Sequence, residues 1–169
     1  SEMCIRDRSM DLIMRAVKKT PPTFVPGVPT VFERIIQSAR EKNVDLSQVQ
    51  IGFSGASSLP GSVIEEWEEI TGGRLVEGYG LTETSPIVIG NPESAARRPG
   101  YIGIPFPDTE VRIVNPDDPD EVMPYGEAGE ILVKGPQVFG GYLNNPEATE
   151  KVFHDGWFRT GDMGVMEED

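Results

Sequence analysis

The chain has 169 residues, with 15 lysines and arginines against 28 aspartates and glutamates, for a net charge of −13. That length supports one domain with a sizeable core, and the acid excess excludes a nucleic-acid surface, which needs a basic stripe; the nearest approach is Arg97-Arg98. The single cysteine, Cys4, cannot form an internal disulfide and fits a reducing compartment, and no apolar run reaches the roughly 18 residues of a membrane span, so a soluble product is expected.

The first predicted element is a helix, from Leu12, Ile13, Ala16 and Val17 at helical spacing. Pro21-Pro22 then forces an extended exit into Thr23-Phe24-Val25. Pro29 suits a first helical position, and Val31, Phe32, Ile35, Ile36 and Ala39 form one apolar stripe behind it. Residues 49–53 make a short strand that delivers Ser54-Gly-Ala-Ser-Ser58 at its carboxyl end. A third helix begins near Pro60, with Val63, Trp67 and Ile70 in register, and stops at Gly72-Gly73. Trp67 on that stripe is read as core, and the acidic group Glu65, Glu66, Glu68 and Glu69 as a solvated helix face. Leu75-Val76 makes another strand, with a loop from Glu77 to Pro86 leaving its carboxyl end. Alternation of this kind predicts an open α/β sheet with ligand loops beyond the carboxyl ends of its strands.

After residue 95 the pattern turns to short strands at 101–104, 110–114, 130–134 and 157–159. Turn clusters at 115–119, 126–129 and 155–156 separate them, and a small helix begins at Pro146 with Asn145 as its cap. The predicted fold class is therefore α/β, a partial layered α/β sheet over 10–95 followed by a mostly β portion over 96–169. The dividing point falls near Asn91–Pro99.

The segment Gly78-Tyr-Gly-Leu-Thr-Glu-Thr-Ser-Pro86 combines two glycines, an aromatic ring, three hydroxyls and a carboxylate. Gly78 and Gly80 let backbone approach a ligand closely, Tyr79 offers a flat face to a base, Thr82 a hydroxyl to phosphate oxygens, and Glu83 a hard oxygen to Mg2+. That mixture suits a nucleotide held with a cation. An ordinary Gly-Tyr-Gly turn would carry the same residues.

Four stretches in order strengthen the nucleotide reading. Gly78–Pro86 resembles the adenylate-binding motif of the AMP-forming acyl-CoA synthetase superfamily. Gly156-Trp-Phe-Arg-Thr-Gly-Asp162 is similar to its later ribose-binding motif, and Ser54-Gly-Ala-Ser-Ser-Leu-Pro60 to the small-residue loop beside the adenine and acyl pockets. Between them, Gly129-Glu-Ile-Leu-Val-Lys-Gly-Pro136 and Gly141-Tyr-Leu-Asn-Asn-Pro146 resemble the family's linking strand and turn. The resemblance covers nearly everything from residue 10 onward and lies nearest the bacterial long-chain fatty acid ligases. Residues 1–9 do not fit the family pattern and are expected to be foreign to the enzyme.

The resemblance implies a chain cut from within the family's large domain, whose β portion belongs to a distorted barrel. The phosphate loop would lie upstream and the lysine-bearing small domain downstream, and the chain by itself is expected to be inactive. The implied reaction couples a fatty acid, ATP and coenzyme A through an acyl-adenylate, with AMP and pyrophosphate as products and Mg2+ as the cation. Aryl, medium-chain and amino acids stay open as substrates, as does a non-catalytic adenylate-binding remnant. Catalysis would rest on Thr82 at the α-phosphate and on Glu83 as the metal ligand. Gly55, Ala56 and Ser57 would wall the adenine on one side, Glu77 and Gly78 on the other, with Tyr79 stacked on the base and Gly80 beside it. Many relatives carry Gln where Glu77 stands. Asp162 would accept from both ribose hydroxyls, although Asp after Thr-Gly is also an ordinary turn residue. His154 is read as a surface turn residue and Arg159 as the partner of a nearby acid, and residues 24–28 as candidate walls of an acyl channel. The parent enzyme is expected in the cytoplasm or, through its acyl substrates, at the surface of the inner membrane.

Overall fold

The computed structural model describes residues 9–94 and 96–168, so the expectation about the opening segment lies, but for Ser9, outside the described residues. The chain divides into two units, Ser1–Gly78 with Gly90–Gly103, and Tyr79–Ile89 with Ile104–Asp169.

In the first unit, helix and strand alternate as α1 (Met10–Lys19), β1 (Phe24–Gly27), α2 (Pro29–Lys42), β2 (Ile51–Ser54), α3 (Gly61–Thr71) and β3 (Arg74–Tyr79), the last residue of β3 opening the second unit. Proline opens α2, where a missing N–H costs nothing. Left-handed residues close two helices, Asn43 (φ 47) after α2 and Gly72 (φ 69) after α3. The three strands are parallel, with Gly27, Ser54 and Glu77 in register. That register sets the loop after β2 level with the end of β3.

The stripes of α2 and α3 bury as predicted, whereas on α1 the predicted Leu12 and Ala16 stay exposed and Met14 is the residue that enters the core. Met14, Phe32, Ile35, Ile36, Trp67 and Leu75 share one core, and Phe32 meets Trp67 edge to face at 4.8 Å. A further expectation fails here. Glu68 is no solvated residue, because Arg97, 12% exposed, bonds its carboxylate and donates to the Leu75 carbonyl at 2.9 Å. Burial pushes the Glu68 carboxyl up, but the Arg97 bond and the Leu75 N–H outweigh it and hold the group below the usual range. The same contact removes Arg97 from any basic patch. Glu66 and Glu69 do lie outside, paired with Arg40. Asn91 organises residues 91–101, accepting from Arg98 N–H at 3.1 Å and donating to the carbonyls of Arg98 and Tyr101 at 2.6 and 2.9 Å.

The second unit holds β6 (Glu110–Asn115), β7 (Asp118–Val122), β8 (Ala128–Lys134), α4 (Pro146–Val152), β9 (Phe153–His154) and β10 (Trp157–Val165), after the short strands β4 (Ile89–Gly90) and β5 (Ile104–Pro105). Its antiparallel sheet runs β7-β6-β8-β10-β9. Val114, Leu132 and Trp157 form one buried cluster, Ile113, Ile131, Val133 and Phe158 are buried as well, and the Arg112 guanidinium lies 4.1 Å from the Trp157 ring. Asn145 caps α4 as expected, its side chain accepting from Ala148 N–H at 3.1 Å.

Three sequence expectations change. Residues 77–79 belong to β3 rather than to a loop, the turn cluster expected at 115–119 gives way at Asp118 to a strand that runs to Val122, and the strand expected at 101–104 is reduced to Ile104–Pro105. Beyond its first three residues, β10 carries a bulge: Arg159 pairs with Leu132 and Met163 with Glu130, so four steps on β10 face two on β8. Residues 160–162 leave the ladder at that point. No helix among the described residues is long and apolar enough to cross a membrane.

Candidate functional site

In the first unit the chain turns off β2 through Gly55, whose N–H donates to the Gly27 carbonyl at 3.2 Å. Ala56 (φ 68) and Ser57 follow on the exposed side. Glu77, 7% exposed, ties this loop down by accepting from Leu59 N–H at 3.1 Å. Burial pushes the Glu77 carboxyl up, the Leu59 bond opposing it. A Cβ on Gly55 would lie 3.5 Å from the Gly78 carbonyl, and one on Gly78 only 2.2 Å from the Phe53 ring. Thus Gly55, Glu77 and Gly78 come together at the carboxyl ends of β2 and β3, with Ala56 and Ser57 on the same loop. A depression of about 260 Å³ in this unit, lined by Glu33, Gln37, Arg40 and Glu66 among others, includes none of these residues.

In the second unit Tyr79 donates its hydroxyl to Asp162 Oδ2 at 2.6 Å. Burial and the Asp162 bond push the phenol far up, against a smaller opposing effect from Thr160, which keeps it a neutral donor. Asp162 is exposed, held out by the β10 bulge. Thr160 Oγ1 donates to the Ile131 carbonyl at 2.8 Å and accepts from Asp162 N–H at 3.1 Å. Gly161 (φ 75) donates to Glu130 Oε1 at 3.1 Å. Glu130, 5% exposed, also accepts from Arg159 Nε and Nη2 at 2.9 and 2.5 Å. Arg159 is therefore bound to an acid, as read from the sequence.

Residues 82–84 wind into one 3-10 turn behind Leu81. Fully buried Thr84 accepts from Leu81 N–H at 2.8 Å, and its Oγ1 lies 3.0 Å from the Pro86 carbonyl. This folds the segment so tightly that a Cβ on Gly80 would sit 1.8 Å from the Pro86 oxygen. Thr82 faces solvent. Glu83 is half-buried; its carbonyl accepts from Phe139 N–H at 2.8 Å and its Oε1 from the Tyr142 hydroxyl at 2.9 Å. That bond pushes the Tyr142 phenol up.

Three contributors escape sequence reading: Glu130, Thr84 and Tyr142. Glu130 sits inside an apolar strand, and its only signal is a carboxylate among four buried neighbours. His154 is half-buried and pairs with Asp120 at 2.7 Å, a bond that raises its pKa. Asp120, His154 and Asp155 group their ligand atoms within 4.8 Å of one another, and the two aspartates are exposed.

Comparison with known proteins decides the family. The family model described as "AMP-binding enzyme" matches residues 2–143. The chain belongs to the AMP-binding enzyme family. A long-chain-fatty-acid–CoA ligase of Bacillus subtilis (strain 168) is 43% identical over 156 residues, covering 92% of this chain and 28% of that protein. Among solved structures, ATP-bound MatB from Rhodopseudomonas palustris superposes with a TM-score of 0.82 at 35% identity, covering 95% of this chain and 31% of its own. The anthranilate CoA ligase AuaEII in complex with anthranoyl-AMP gives a TM-score of 0.85 at 26% identity, covering 96% and 31%. The chain thus spans under a third of the length of these three proteins, and its α/β-then-β fold is that of AMP-binding enzymes.

The donors present fit the groups such an enzyme handles. Asp162 offers carboxylate oxygens beside a bulge, while at Gly78 and Gly80 the missing side chain is required by the protein's own packing against Phe53 and Pro86. Glu83 is a lone hard carboxylate next to an exposed hydroxyl, which suits Mg2+ bound chiefly through waters and phosphate oxygens.

Proposed function

We propose that the protein carrying this chain is a long-chain fatty acid–CoA ligase, and that this segment binds its nucleotide. In the first half-reaction a carboxylate oxygen attacks the α-phosphorus of ATP; the bond to pyrophosphate breaks and acyl-adenylate forms. The thiolate sulfur of coenzyme A then attacks the acyl carbon, and AMP leaves with the electrons of the broken C–O bond. Neither step needs a protein nucleophile, so the protein's contribution is orientation and charge stabilisation.

The observation that carries this reading is the hydrogen bond from Tyr79 to Asp162, which joins the start of the Gly78–Pro86 motif to the end of the Gly156–Asp162 motif. In the proposed site Asp162 accepts from the ribose hydroxyls, a task suited to two acceptor oxygens, and Tyr79 stacks on the base. By the motif resemblance, Gly55, Ala56 and Ser57 wall the adenine on one side and Glu77 and Gly78 on the other, and Gly80 lets backbone approach the nucleotide. Thr82 donates to the α-phosphate, and Glu83 holds Mg2+. That ion, when bound, would neutralise phosphate charge as two anions approach. ATP and coenzyme A make the cytoplasm the place of action.

Support for a fatty acid comes from the ligases at about 40% identity. The anthranilate CoA ligase structure supports a second reading, an aryl acid activated by the same chemistry. A panel of carboxylic acids given to the full-length protein with ATP, Mg2+ and coenzyme A separates them. Palmitoyl-CoA with AMP as co-product supports the first, aryl-CoA alone supports the second, and ADP as co-product would refute both.

A further inference from the structure

We infer that Tyr142 is a positioning residue for the Glu83 carboxylate, fixing one of its oxygens so that the other faces the metal. The inference rests on the proposed role of Glu83 as the Mg2+ ligand. Residues 139–142 hold Glu83 at two places, the Phe139 N–H on its carbonyl at 2.8 Å and the Tyr142 hydroxyl on Oε1 at 2.9 Å. The first bond fixes the backbone and the second fixes the side chain, so the carboxylate's rotation is removed before any ligand arrives. A carboxylate left free would lose that rotamer freedom on binding a cation, which weakens binding.

The clasp is itself anchored. Tyr142 N–H donates to Thr149 Oγ1 at 2.9 Å, and that hydroxyl donates to the Asn145 carbonyl at 3.0 Å, so the turn is fastened to the start of α4. Gly141 (φ 136) makes the close approach, since a Cβ there would lie 2.6 Å from Thr149 Cγ2. On the other side, Phe139 meets the Tyr142 ring at 4.9 Å and Phe158 of β10 at 5.5 Å. Among the described residues the Tyr142 hydroxyl donates to the Glu83 oxygen and to no other acceptor.

The test is Mn2+ binding, read by electron paramagnetic resonance, to the full-length protein saturated with α,β-methylene-ATP. The four proteins compared are wild type, Tyr142→Phe, Glu83→Gln and the double variant. Phe keeps the ring on Phe139, and the side chain is already 38% exposed, so Tyr142→Phe retains the fold. The expected result is Mn2+ affinity lowered about tenfold or more by Tyr142→Phe, as for loss of a hydrogen bond to a charged group. In the Glu83→Gln background the same change is expected to cost less than about twofold, because the two residues act as a unit. The Mg2+ activation constant for adenylate formation should rise in parallel while the KM for the fatty acid stays put. Undiminished affinity in Tyr142→Phe beside a weakened Glu83→Gln, or penalties that multiply in the double variant, would overturn the positioning role alone. Undiminished affinity in Glu83→Gln would overturn the metal-ligand reading, and the inference with it.

Discussion

Tyr79 and Asp162 stand 83 positions apart in the chain and share a hydrogen bond of 2.6 Å. The bond takes one carboxylate oxygen, the other having no hydrogen-bond partner among the described residues, while it fixes the plane of the Tyr79 ring. If Tyr79 stacks on adenine, Tyr79→Phe should raise the KM for ATP only about two- to fivefold, since the ring survives. Tyr79→Ala should raise it by a further tenfold or so, the usual cost of a lost stacking face. Equal effects of the two substitutions, measured by steady-state kinetics, would show that the ring does not stack.

Gly80 is tested by adding one carbon. Its Cβ would meet the Pro86 oxygen at 1.8 Å and Ile87 Cα at 2.7 Å, both backbone atoms that no rotamer change relieves. Gly80→Ala should therefore distort residues 82–84 and reduce ATP binding by roughly a hundredfold. Overpacking costs typically about 1–3 kcal/mol, and more against rigid neighbours. Titration calorimetry with ATP checks this, and near-native affinity would mean that the loop can open without loss.

Glu130 supports the bulge from beneath. Glu130→Ala removes the acceptor of Arg159 and of Gly161 N–H together, leaving a half-buried guanidinium without its carboxylate. A loss of about 3 kcal/mol in unfolding free energy is expected, the usual size for breaking a buried pair from one side. Denaturant titration reads the change. Weaker ATP binding should accompany it, because Gly161 sets the backbone just before Asp162.

Glu77 gives a pH dependence with a definite sign. Burial raises its folded pKa above the ordinary value of 4.5. The stability it contributes is thus fully present below about pH 4.5 and lost as pH rises through the folded value. Glu77→Gln keeps an acceptor for Leu59 N–H and removes the titration. The variant should melt a few degrees higher than wild type at pH 7, by about 2–4 °C per kcal/mol for this size, with the difference vanishing below pH 4.5. A constant difference across that range would assign the effect to packing.

Much of this was legible beforehand. Helices α1, α2 and α3 were readable because their apolar spacing and their Pro and Gly punctuation agree, and Asn145 declared the start of α4. Strand β7 was not, because Asp118-Pro-Asp120 is turn-like in composition; β7 is an edge strand, where proline costs no ladder bond. The bulge at 160–162 leaves no periodic trace, since it depends on pairing with β8. The candidate site divides the same way. Motif residues were visible as motifs, but Tyr142 and Glu130 serve them through long-range bonds that no local spacing encodes, and Thr84 through short-range bonds to Leu81 and Pro86 made by a hydroxyl whose burial the sequence does not announce.

The most direct test of the central reading is exchange of labelled pyrophosphate into ATP by the full-length protein, with and without palmitate, in wild type and Asp162→Ala. The expected result is exchange that requires the fatty acid and falls roughly a hundredfold or more in Asp162→Ala, as befits two hydrogen bonds to a charged group. Exchange undiminished in Asp162→Ala would contradict the assignment of the ribose site, and no exchange with any carboxylic acid would contradict adenylate formation itself.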